Sequence, residues 1–278
     1  MDILIVGLGL IGASYAEGLK KSGHTIYGVD VSEDTLNYAL EHKMVDFASK
    51  NPLDFISKAK LIIIGLYPKL ILDFVKTYNP YFNKNQIITD VCGIKTEYVY
   101  DAIKLTTNAT YIAHHPMAGR EKVGITFATS EIFKKANFLI CNVNNKEEDI
   151  NILKSVAKDL GFARISVISP EKHDKMIGFT SQLTHAIAVS LVNSDTEADT
   201  KLFIGDSYRD LTRIAMINEE LWSELFLSNK KYLLDEIKNF EEELDKLKLA
   251  LKNEDSEALK QIFRNSKKKR SEMEKWKN

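Results

Sequence analysis

The residues best equipped for chemistry lie in the run His114-His115-Pro116-Met117-Ala118-Gly119-Arg120-Glu121, directly after an apolar stretch. An imidazole at the end of a strand stands where open α/β sheets present their ligands. Its reference pKa of about 6.5 suits it to moving protons near neutral pH. His115 is therefore the candidate base. Pro116 restricts the backbone before it to extended conformations and so limits how the ring can approach a ligand. His114 points to the opposite face of the strand and reads as packing or as support for the residues that line the site. His24, His42 and His173 read as ordinary structural histidines.

A second cluster is Asp206-Ser207-Tyr208-Arg209-Asp210-Leu211-Thr212-Arg213. On a helix, Arg209 and Arg213 fall one turn apart on one face, with Asp210 three before Arg213. Two guanidinium groups this close call for anions. Either they form surface ion pairs worth ~0–1 kcal/mol each, or one of them grips a ligand carboxylate with both of its nitrogens. The helix alone favours the surface reading. A third cluster, Thr180 to His185, sets Ser181 and His185 on one helix face and is polar where a core helix should be apolar.

A glycine run at the amino terminus supplies a cofactor site. Gly7-Leu8-Gly9-Leu10-Ile11-Gly12 closes an apolar strand, a helix-compatible stretch follows, and Asp30 ends the next strand. In that context the spacing marks a dinucleotide fold, whereas alone it would be weak. Gly7 permits the tight turn, Gly9 lets backbone approach a pyrophosphate, and Gly12 lets helix pack on strand. Asp30 is placed to bind the ribose hydroxyls. Its charge repels a 2′-phosphate, and Val31-Ser32-Glu33-Asp34 carries no cation to neutralise one, so NAD is expected rather than NADP.

The elements that must hold these groups follow from periodicity. Strand-like apolar runs at 3–6, 25–29, 61–65, 86–89, 110–114, 138–141 and 164–168 alternate with helical patterns, the signature of a parallel α/β sheet. Past Pro170 prolines vanish and apolar residues recur at helical spacing. The expected fold is thus α/β: a Rossmann-type dinucleotide-binding domain at 1–169, then an all-α substrate-binding and dimerisation domain at 170–278. A helix over about 171–193 would bury Phe179, Leu183, Ile187 and Leu191. Leu233, Ile237, Phe240, Leu244, Leu247 and Leu251 form a seam that needs a partner helix, in the same chain or in a second copy.

Composition narrows the class. The chain has 278 residues, 44% of them hydrophobic, and a formal net charge of −1, so bulk electrostatics draw it to neither nucleic acid nor membrane. No apolar run is long enough to span a bilayer. Two cysteines without C-x-x-C spacing make neither a metal site nor a disulfide framework, and a reduced cytoplasm is expected. The first strand starts at Asp2, which leaves no room for a removable targeting segment.

The clusters together resemble the prephenate and arogenate dehydrogenases of tyrosine biosynthesis. G-L-G-L-I-G at Gly7–Gly12, D-V-C-G-I-K at Asp90–Lys95, H-P-M-A-G-x-E at His115–Glu121, S-Q-L-T-H at Ser181–His185 and Y-R-D-L-T-R-I-A at Tyr208–Ala215 occur in the family's order. The glycine motif is widely shared, whereas the His115 and Arg213 motifs together are specific. The resemblance implies that His115 is the catalytic base and that Arg213 anchors a substrate carboxylate, which reverses the surface reading of Arg213. It places His185, Glu121, Gln182 and Trp222 along the substrate pocket and Gly93 beside the cofactor. Many members carry serine where Gly93 stands, and many read S-H-L-P-H where this chain has Gln182 and Thr184. A single activity is expected, with no added mutase or regulatory domain.

The implied reaction is oxidative decarboxylation. NAD takes hydride from C4 of prephenate, His115 takes the hydroxyl proton, the C1 carboxylate leaves as CO2, and 4-hydroxyphenylpyruvate forms. Arogenate, with an amino group in place of the keto group, is the near alternative. A hydroxyacid dehydrogenase using Lys172 or Lys175, or a non-catalytic NAD sensor, would explain the glycine run but would have no use for His115 paired with Arg213. The expected partners are this small substrate and a second copy of the chain.

Overall fold

The computed structural model describes residues 1–120 and 122–274. It separates into two compact units, residues 1–229 and a second unit from Lys230 onward. The first unit opens with β1 (Asp2–Val6), α1 (Leu10–Lys21), β2 (Thr25–Val29), α2 (Glu33–Glu41), β3 (Phe47–Ser49) and α3 (Leu53–Ile56). It continues with β4 (Leu61–Ile64), α4 (Pro68–Tyr78), β5 (Ile87–Asp90), α5 (Val99–Leu105) and β6 (Thr110–Tyr111). These strands form one parallel sheet in the order β3-β2-β1-β4-β5-β6. Helices cover both faces of such a sheet, so its central strands can be apolar throughout. Leu61, Ile62, Ile63 and Ile64 are accordingly all fully buried.

The expected strand over 110–114 divides in two. Ile112 lies between β6, which ends the first sheet, and β7 (Ala113–Pro116), which starts another. Strand β7 pairs antiparallel with β8 (Asn137–Cys141), and after α6 (Glu147–Asp159), β8 pairs parallel with β9 (Arg164–Ile168). The sheet expected to be parallel throughout is thus a parallel sheet followed by a mixed three-stranded one. This switch carries His115 out of the Rossmann plane.

Helices then take over: α7 (Pro170–Ile177), a π-helical turn at Gly178–Gln182, α8 (Leu183–Asn193), α9 (Asp206–Thr212) and α10 (Glu219–Ser228). The π turn widens the helix and rotates its register, which corrects the expected apolar stripe. Leu183 is buried but Phe179 is 47% exposed. The second unit is the antiparallel pair α11 (Lys230–Lys252) and α12 (Ser256–Glu274). Along the expected seam Leu233 is buried, whereas Phe240, Leu244 and Leu251 are exposed. Among the described residues the regular elements from Pro170 onward are helical, whereas the division into compact units falls after Asn229.

One loop links the sheet to the chemistry. Asp90, the last residue of β5, is fully buried and accepts hydrogen bonds from Lys95 Nζ at 2.6 Å, Tyr98 Oη at 2.5 Å, Tyr111 Oη at 2.7 Å and the Cys92 amide at 3.0 Å. Burial pushes its carboxyl upward, but Lys95 and the two phenols outweigh that and hold it below the usual carboxylate range. The Lys95 ammonium, itself disfavoured by burial, is kept protonated by Asp90. Breaking such a pair from one side leaves a buried charge with no counter-ion. Lys95→Met should therefore lose about 3–5 kcal/mol of stability in urea unfolding; a loss under ~1 kcal/mol would mean that the pair is not what holds the loop.

Candidate active site

The glycine run ends β1 and starts α1, as the cofactor reading requires. Gly7 has φ +88°, and a Cβ there would lie 2.6 Å from the Gly65 carbonyl oxygen. A Cβ on Gly12 would come within 1.9 Å of the Gly7 carbonyl oxygen, so no other residue fits there without moving the turn. Gly9, the N-cap of α1, is exposed and has open space where a Cβ would go. Leu8 is fully buried, while Leu10 and Ile11 begin the helix with partly exposed side chains. The first turn of α1 contains no acid, so its amides and the positive end of its dipole are available to a phosphate.

Asp30 is pinned at the end of β2. Its Oδ2 accepts the Leu8 amide at 2.8 Å and its Oδ1 accepts the Ser32 amide at 3.0 Å. The carboxylate is therefore oriented by the glycine loop it serves, and each oxygen keeps a lone pair for a ribose hydroxyl. These residues fit a dinucleotide.

His115 sits on β7 opposite Leu139 of β8, partly exposed. A Cβ built on Gly93 would lie 3.7 Å from His115 Nε2 and 3.8 Å from Leu225 Cδ2, so the β5 loop, β7 and α10 meet at this point. On its other side, His115 Nδ1 is 2.9 Å from His173 Nε2 of α7. His173 Nδ1 is 2.7 Å from Asp174 Oδ1. Both His173 and Asp174 are fully buried. Burial, then His173, Lys95 and His114, pushes the His115 pKa well below that of a free imidazole, so the ring is neutral at pH 7. Sequence reasoning set His173 aside as structural and passed over Asp174. A signal was available, since a His-Asp pair opens the first helix after the sheet.

His114 behaves as packing, bonded to Tyr15 Oη at 2.8 Å and Thr89 Oγ1 at 2.6 Å and stacked on Phe138. Burial brings its pKa down to about 3.

Of the remaining expected residues, His185 lies on α8, Trp222 on α10, Gln182 at the end of the π turn and Arg213 in the turn after α9. His185 Nδ1 donates to the Ser181 carbonyl at 2.9 Å; a carbonyl can only accept, so Nδ1 carries the proton. Its ring lies 3.7 Å, centroid to centroid, from that of Trp222. Trp222 is one helical turn before Leu225, on the same side of α10. Gln182 is 1% exposed, and its amide is committed to the structure: Nε2 donates to the Leu225 carbonyl at 2.8 Å and Oε1 accepts from Asn229 at 2.6 Å. It braces α8 against α10. Arg213 is exposed in the turn after α9, which packs on α8, and Arg209 pairs with Asp206 at 2.6 Å. Glu121 lies outside the described residues.

The family model for the prephenate dehydrogenase nucleotide-binding domain matches residues 15–167, and the one for the prephenate dehydrogenase dimerization domain matches residues 169–265. The chain belongs to the prephenate dehydrogenase family. The prephenate dehydrogenase of Lactococcus lactis subsp. cremoris is 33% identical over 98% of this chain and 77% of its own length. The crystal structure of the Aquifex aeolicus prephenate dehydrogenase with hydroxyphenyl propionate and NAD+ superposes with a TM-score of 0.89 at 27% identity, covering 98% of each chain. That of the Synechocystis arogenate dehydrogenase does so at 0.85 and 28%, covering 98% of this chain and all of the other.

The Asp30 geometry makes cofactor choice testable. Asp30→Ala removes two charge-assisted acceptors, so NAD affinity should fall by ~10-fold or more while the preference over NADP narrows. Titration of both cofactors checks this; an unchanged NAD affinity would take Asp30 out of the ribose site.

Proposed function

We propose that this protein is an NAD-dependent prephenate dehydrogenase that converts prephenate to 4-hydroxyphenylpyruvate and CO2, with His115 as base. The observation that carries the reading is a neutral imidazole whose Nε2 faces the β5 loop at Gly93, in a chain whose glycine turn and Asp30 fit a dinucleotide. Bound NAD supplies the hydride acceptor. His115 Nε2 takes the substrate's hydroxyl proton as the C4 hydride leaves. The C1 carboxylate then departs as CO2, its bonding electrons complete the aromatic ring, and the C4 oxygen, left as a phenolate, takes the proton back from His115 to give 4-hydroxyphenylpyruvate. A positioned base contributes ~10²–10⁴-fold; holding C4 in place supplies much of the rest.

Arg213 binds a substrate carboxylate, His185 and Trp222 form a wall of the pocket, and Gln182 supports that wall from behind. Gly93 leaves open the space beside His115 Nε2 that a serine would fill. Prephenate is favoured over arogenate because it is a dianion and the exposed Arg213 motif offers it a cation. The likeness to the Synechocystis arogenate dehydrogenase keeps arogenate as the second substrate to assay.

The helical part is where two copies join. The exposed Phe240, Leu244 and Leu251 leave an apolar stripe on α11 for a second copy, and the matching family model is that of a dimerization domain. Among the described residues no helix is long and apolar enough to cross a membrane. Cys92 and Cys141 are free, buried thiols, in keeping with work in the cytoplasm.

His115→Asn should fold and bind NAD yet lose roughly 10²-fold or more in kcat with prephenate; near-normal turnover would remove His115 from the base role. Arg213→Lys keeps the charge but not the two-pronged geometry, so KM for prephenate should rise far more than KM for NAD. An unchanged prephenate KM would return Arg213 to the surface. Light scattering should give twice the chain mass at micromolar concentration, and an active monomer would contradict the dimer.

A further inference from the structure

His173 and Asp174 do more than fill space behind the base. The Asp174 carboxylate has four hydrogen-bond partners: Oδ1 takes the Lys95 amide at 2.9 Å, Oδ2 takes the Thr96 amide at 2.7 Å and Thr96 Oγ1 at 2.5 Å, so three of its contacts lie on the β5 loop, and the fourth is His173 Nδ1. Burial opposes its charge, but His173 and Thr96 outweigh this and hold its pKa below the usual carboxylate range. An ionised carboxylate only accepts, which fixes every proton downstream of it. His173 Nδ1 must donate. Burial keeps His173 neutral against the pull of Asp174, so its Nε2 holds a lone pair. His115 Nδ1, 2.9 Å away, must donate in turn. His115 Nε2 is then left with the lone pair, and that atom faces Gly93.

We propose that Asp174 and His173 are positioning residues for the reaction. Through two hydrogen bonds they fix His115 as the Nδ1–H tautomer with Nε2 as the acceptor, and they lead the positive charge that forms there toward a buried carboxylate. The inference rests on the reading of His115 as the base. In the step, the substrate O–H bond breaks and a His115 Nε2–H bond forms, so His115 becomes an imidazolium. If the His115 Nδ1 proton shifts to His173 Nε2, His115 is neutral again and the charge resides on His173, 2.7 Å from Asp174. No proton is gained or lost in that shift.

The surroundings explain why such a pair is needed. His115 stands near the Lys95 ammonium, which Asp90 neutralises in part, and near His114, which stays neutral. Cys92 and Cys141 carry no charge at neutral pH, their thiols pushed up to about 11 and about 12. Besides Asp90, Glu171, bonded to Tyr100, is a further carboxylate whose field reaches this region, and it shares α7 with Asp174. Asp174 is thus the carboxylate wired by hydrogen bonds to the base.

The order of protons is directly measurable. In histidine-¹⁵N-labelled wild-type protein, NMR should show His115 protonated at Nδ1 and bare at Nε2. Finding the proton on Nε2 would overturn the proposal, whether or not prephenate turns over. For kinetics, neutral His115 is the active form, so activity falls as pH drops through its pKa. Removing the Asp174 charge makes the imidazolium harder to form, and Asp174→Asn should move this acid limb of kcat/KM down by ~1 pH unit while lowering kcat ~10-fold or more. A lower kcat with an unmoved limb would mean a purely structural role. His173→Gln keeps an acceptor near the former Nε2, whereas His173→Asn does not reach His115. The Gln variant should retain more kcat than the Asn variant and keep the His115 Nδ1–H signal; equal losses with equal KM values would also overturn the relay. Failure of the wild type to oxidise either prephenate or arogenate would instead sink the function, leaving the NMR result to decide the relay by itself.

Discussion

The constraint on which this structure depends is the burial of two carboxylates at the ends of one short loop. Asp90 closes β5 and holds Lys95, Tyr98 and Tyr111; Asp174 opens the helical part of the first unit and holds the amides of Lys95 and Thr96. Segment 90–96 is therefore gripped from the sheet on one side and from α7 on the other. A buried charge is costly unless its partners are complete, so neither end can drift without stranding the other. Gly93, the residue that meets His115, lies in the middle of that span.

The same demand shapes the base. A ring that accepts a proton must be neutral before the step and tolerable as a cation after it. Burial and the nearby Lys95 secure the first condition, and the carboxylate two hydrogen bonds away secures the second. The π turn at Gly178–Gln182 plays a comparable part for His185. It leaves the Ser181 carbonyl to take both Thr184 Oγ1 and His185 Nδ1, and so orients the ring that packs, tilted, against Trp222. Irregular backbone of this kind clusters where function needs a side chain aimed.

Much of this was legible from residue types. Apolar runs and glycine spacing identified the Rossmann strands, because central parallel strands are buried on both faces and the tight turn excludes side chains. Strand β3 escaped notice: Phe47–Ser49 is a three-residue edge with an exposed phenylalanine, so it lacks an apolar run. The break at Ile112 was hidden because one continuous apolar pattern serves two sheets. Phe179 misled because periodicity assumes a uniform turn, and one π turn rotates everything after it. His173 was discounted because a buried histidine is usually inert by itself. Its significance depends on a ring 58 positions away in sequence, which no local pattern reports.

The central claim is that one hydride and one carboxylate leave the same substrate while His115 takes a proton. The most direct test is stoichiometric: prephenate labelled with ¹³C in the ring carboxylate, mixed with NAD and the purified protein. The account predicts one NADH and one labelled CO2 for each 4-hydroxyphenylpyruvate formed. NADH without CO2, or no reaction with prephenate at all, would contradict it.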